Sequence, residues 1–158
     1  MPWLGLPVSE IPTLDRVLVV GSFLRKDHPL LAQRLRQAAK KATRVSLLHV
    51  ADDDQLIALQ AKSIVAPSAL AAELAGIVKA VADAKGVAVD AALSGVQPSV
   101  AAKSIAESLA SGEKGAILLG FSPQLLAQAS FVLASLIGAV VVILASPMIQ
   151  LSSGVFTF

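Results

Sequence analysis

Leu14-Asp15-Arg16-Val17-Leu18-Val19-Val20-Gly21 is an apolar run interrupted only near its start, by Asp15 and Arg16, and ended by glycine. A strand with one wet face alternates apolar and polar residues; a strand covered on both faces does not. This run therefore predicts a central strand of a parallel sheet. Asp27 is placed to cap the helix that follows, with His28 and Pro29 in the first turn, where a missing N–H costs nothing. Leu31, Leu35 and Ala38 then share one face and the charges take the other. A second strand follows over Arg44–Val50, broken by Asp52-Asp53-Asp54. Together these segments make one β-α-β unit, whose crossover is expected to be right-handed.

The same grammar continues outward. Pro67-Ser68 opens a helix with Leu70, Leu74, Ile77, Val78 and Val81 on one stripe, closed by Gly86. Val87 to Gln97 reads as a connector, and Pro98-Ser99 opens another helix that runs through Ala110 and stops at Gly112. Lys114–Leu119 is a third buried strand, Ser122-Pro123 starts a helix to about Ile137, and Val140–Leu144 is a fourth strand. Strands alternating with helices predict an α/β fold: a three-layer, Rossmann-like open parallel sheet with helices on both faces. The expected division is an irregular lead-in over residues 1–13, one α/β domain over 14–145 and an irregular tail over 146–158. Trp3 and Leu4 in the lead-in are expected to cover an apolar patch, and the opening residues lack the pattern of a signal peptide.

Composition narrows the function. Of 158 residues, 55% are hydrophobic and only 15% charged, so much of the surface is expected to be covered by a partner or a membrane. From Gly115 to Phe158 no residue is charged, and Phe131 to Ile149 approaches the length of a spanning helix. Gly138 divides that stretch, a β-branched run follows it, and Pro147 comes at a strand end, so the segment reads as buried helix plus buried strand, with no membrane span. The net charge of +2 gives no footprint for nucleic acid. Arg34, Arg36, Lys40, Lys41 and Arg44 read as a solvated helix face near a helix C-terminus. With no cysteine, disulfides, thiolate catalysis and iron–sulfur ligation by this segment are excluded.

The turn after the first strand is the place where such folds bind phosphate. Here it reads Gly21-Ser22-Phe23-Leu24-Arg25-Lys26, without the second and third glycines of a dinucleotide fingerprint, and Phe23 obstructs close backbone approach. Gly21, Ser22, Arg25 and Asp27 are the candidates for a vestigial anion or nucleotide site, set against the plainer reading of a turn packed on a neighbouring segment. His28 reads as a helix-start residue, His49 as a satisfied strand-end histidine, and Asp52-Asp53-Asp54 as a solvated turn. No catalytic constellation and no metal-ligand spacing is recognisable.

Over Leu14 to Arg36, and again over Lys114 to Leu119 and the helix after it, the chain resembles the G subunits of bacterial NADH-quinone oxidoreductase, respiratory complex I. The similarity is to part of their molybdopterin-oxidoreductase-like domain: a strand, then Gly21, a small Ser22, Arg25, the acidic Asp27 and Pro29, with Phe23-Leu24 in place of the pattern's Asn-Pro. The resemblance implies a structural, non-catalytic piece of a longer subunit, supporting electron transfer from NADH to quinone. It implies no molybdenum cofactor, iron–sulfur clusters only outside this segment, and partners in the rest of its own subunit and in other peripheral-arm subunits. The implied place is peripheral, on the cytoplasmic side of the inner membrane. The alternative from the residues themselves is a nucleotide-binding Rossmann-like module using the turn at Gly21.

Overall fold

The computed structural model describes residues 7–88, 93, 95–120, 132, 133, 136 and 140–143. Five strands, β1 (Arg16–Val20), β2 (Arg44–His49), β3 (Leu59–Ile64), β4 (Gly115–Leu119) and β5 (Val140–Ile143), form one sheet in the order β3-β2-β1-β4-β5. Every pairing is parallel, with Val17 beside Val45 on one flank and Ala116 on the other. The four expected strands are present, and the sheet is the predicted open α/β type.

Alternation along β1 distributes the core. Leu18 and Val20 point into a cluster with Leu48, Ile117 and Leu119, roofed by α3 (Leu70–Lys85) and α4 (Val100–Ala110). Val17 and Val19 point the other way, to Val45, Leu47 and Leu118 and to Leu31 and Leu35 of α2 (Pro29–Ala39). Both faces are thus dry, which is why the strand sequences do not alternate. A fully buried leucine such as Leu18 contributes about 1.5–3 kcal/mol through removal from water.

Local chemistry fixes the helix ends. Ser99 is the N-cap of α4, its Oγ accepting from the Ala102 N–H at 2.9 Å. Gly86 ends α3 at φ 64°, the left-handed conformation that favours glycine. The residues before β1 are more ordered than expected: Val8–Thr13 form a 3-10 helix that buries Ile11 against the α2 side of the sheet.

Two local expectations are corrected. β3 falls where no strand was expected, because Leu59-Gln60-Ala61-Lys62-Ser63-Ile64 is an edge strand with polar residues alternating along it, unlike the central runs. Asp27 does not cap α2. It ends the short helix α1 (Leu24–Asp27), with its own N–H donating to Phe23 O, and the N-cap of α2 is His28, without a side-chain hydrogen bond. The expected helix from Ser122 to Ile137 lies mostly, and the contacts of Trp3 and the tail over 146–158 lie wholly, outside the described residues.

Candidate functional site

In an open α/β sheet, ligands bind at the carboxyl edge where the strand order reverses. Here the reversal lies between β1 and β4, at Gly21 and Gly120. Gly21 adopts φ 62° and its N–H donates to Leu48 O at 2.9 Å, which turns the chain back over the sheet. That turn delivers Ser22 to the mouth of the crevice. Gly120 N–H donates to Val20 O at 2.9 Å, and a methyl group at Gly120 would overlap Ser22 Cβ and lie 2.6 Å from its Cα. Ser22 is buried, and its Oγ has no hydrogen-bond partner among the described residues.

The next residues tie the turn to the loop after β2. The Phe23 ring meets the His49 imidazole edge to face, with centroids 4.3 Å apart, and Lys26 Nζ lies 5.1 Å from the Phe23 centroid. Lys26 also reaches Asp53 Oδ2 at 3.2 Å, an ion pair without hydrogen-bond geometry. His49 is almost fully enclosed. Its Nδ1 lies 3.0 Å from the Ala51 nitrogen and 3.1 Å from the Ala51 carbonyl oxygen, accepting from the one or donating to the other according to tautomer, while Nε2 has no partner among the described residues. Burial holds the His49 imidazole below its ordinary pKa; the backbone of Ala51 and the carboxylates of Asp53 and Asp27 act in the opposite direction.

The four sequence candidates therefore separate. Gly21 and Ser22 belong to the closed crevice, Asp27 is exposed at the end of α1, and Arg25 turns to a different place, a cavity against α2. The three aspartates are individually engaged: Asp52 with Lys62 at 2.8 Å, Asp53 with Lys26, and Asp54 Oδ1 accepting from the Leu56 N–H at 2.9 Å. Among the described residues no group of acids and histidines could hold a metal ion. Sequence reading missed Gln55, which is buried with neither amide atom partnered among the described residues. An isolated glutamine beside three aspartates gives no signal of that.

No family model matches the sequence, and no curated protein matches it. A solved structure does share the fold: the formyltransferase/hydrolase complex (FhcABCD) from Methylorubrum extorquens in complex with methylofuran. A chain of that complex superimposes with a TM-score of 0.62 at 18% identity, over 91% of this chain. This chain spans 40% of that one's length.

These comparisons overturn the expected membership of the complex I G subunits, and with it the role in NADH-to-quinone electron transfer and the peripheral-arm partners. The motif misled for a physical reason. Gly21 is required by a positive φ and Pro29 by the first turn of α2, so both recur wherever a buried strand turns into a helix. The nucleotide-module alternative gains nothing from the neighbour's description, and Ser22 occupies the crevice it would need. Among the described residues no helix is long and apolar enough to cross a membrane. The expected place at the inner membrane rested on the complex I resemblance alone.

Proposed function

We infer that the chain is a structural domain, or part of one, in a multi-subunit assembly of the formyltransferase/hydrolase kind, with no cofactor or catalytic centre of its own. One observation carries the reading: the crevice at the strand-order reversal is filled by Ser22 packed on Gly120. A pyrophosphate there needs free backbone N–H groups at a helix N-terminus, and the first helix after Gly21 is only the four-residue turn Leu24–Asp27, with Phe23 ahead of it packed on His49 and Lys26 within it paired with Asp53. The low charged fraction supports a surface meant for other polypeptide, and the fold is shared with a chain from such an assembly.

The test is to tag the gene product in its native host, purify it under mild conditions and record native mass spectra and formyl-transfer activity. The reading expects a complex of fixed stoichiometry that carries the activity. A monomer, or an assembly without formyl transfer, contradicts it.

A further inference from the structure

We propose that Arg25, Arg36 and Gln55 form a binding site for one small oxyanion, a carboxylate or phosphate group, in the cavity between α2 and the loop after β2. The cavity holds about 80 Å³ and is walled by Pro29, Ala32, Gln33 and Leu56 in addition to these three side chains. That is room for a single small group and too little for a nucleoside.

Three of its polar atoms, Arg36 Nε and both amide atoms of Gln55, lack partners among the described residues. Arg36 Nη2 donates to Gln33 Oε1 at 2.6 Å, which fixes the guanidinium while its buried Nε–H has no partner among the described residues. Gln55 is 5% exposed, and among the described residues neither its amide nitrogen nor its oxygen has a partner. Buried polar groups are nearly always hydrogen-bonded, so such a group marks a place where a ligand or water belongs. Gln55 is held there by its neighbours: Leu56 has φ 53°, positive for a non-glycine residue, and is anchored by Asp54.

Charge selects the ligand. Two guanidinium groups and two amides line the space, the Gln33 amide oxygen already taken by Arg36; no carboxylate does, and among the described residues neither arginine is in an ion pair. The nearby aspartates are already engaged, by Lys26, Lys62 and the Leu56 N–H. An oxyanion accepts from Arg36 Nε and the Gln55 amide N–H at once, with Arg25 at the rim adding a charge-assisted bond. The Gln55 oxygen is left to a guanidinium N–H. This site is separate from the crevice under Gly120, so it stands or falls independently of the structural-domain reading.

Calorimetric titration of the full chain with sodium phosphate and with sodium acetate is the test. The expected result is saturable binding of one or both, with Kd below about 1 mM. Arg25→Gln and Gln55→Leu should each weaken it about tenfold or more, a loss of about 1.4 kcal/mol per tenfold. Arg25 is exposed, so its substitution leaves the core intact, and circular dichroism confirms the fold of both variants. Phosphate alone or acetate alone binding would identify the source of the oxyanion. Absence of saturable binding for both, or binding unchanged in both variants, overturns the proposal and leaves a water-filled cavity.

Discussion

Ser22 and Gly120 are in contact across the carboxyl edge of the sheet, close enough that any side chain on Gly120 would collide with the Ser22 Cβ and backbone. The contact joins the first residue after the β1 turn to the first residue after β4, so it fixes the two central strands where they would otherwise part around a ligand.

Substituting Gly120→Ala should therefore destabilise the protein by about 1–3 kcal/mol, the usual cost of overpacking a core. Urea denaturation measures this. Adding Ser22→Gly should recover part of the loss, because it removes the Cβ but not the backbone neighbour. An effect below about 0.5 kcal/mol would place Gly120 among ordinary surface positions.

A polar junction joins β3, α3 and α4. Glu73 Oε1 accepts from Ser63 Oγ at 2.8 Å and from Ser99 Oγ at 2.6 Å, while Ser99 caps α4. Ser99→Ala should cost about 0.5–2 kcal/mol through the cap. Combined with Glu73→Ala, the losses should fall short of their sum, since both remove one shared hydrogen bond. Strict additivity in a double-mutant cycle would argue that the junction is not formed.

His49 makes stability depend on pH. Its imidazole binds a proton less readily when folded than when unfolded, because burial disfavours the charged form. The contribution is complete above the unfolded value of about 6.5 and is lost as pH falls through that value towards the lower folded one. Denaturation at pH 8 and pH 5 should show His49→Leu losing less stability on acidification than the parent chain. An equal or steeper loss in the variant would contradict the assignment.

The legible parts of the fold were those with local causes. Val17 to Val20, Val45 to Leu48 and Ala116 to Leu119 are buried on both faces and show it as apolar runs, broken only by Ser46. Gly86 and Ser99 announced helix ends through a left-handed turn and a cap. β3 was illegible because an edge strand carries Gln60 and Lys62 like a loop does. The site was less legible than the fold. The Ser22–Gly120 contact and the Arg25–Arg36–Gln55 cavity join residues distant in sequence, and neither follows from spacing. The same locality explains the misread relationship, since a glycine turn before a proline-started helix reports a conformation and not a lineage.

The most direct test of the closed crevice is calorimetric titration of the full chain with NADH. Micromolar affinity corresponds to about 8 kcal/mol, which requires a pyrophosphate seated on free backbone N–H groups, whereas one arginine contact gives about 1.5–3 kcal/mol. With Ser22 packed on Gly120, no saturable binding tighter than about 10 μM is expected. Saturable binding tighter than about 10 μM would show that the crevice opens, and would contradict the structural-domain account.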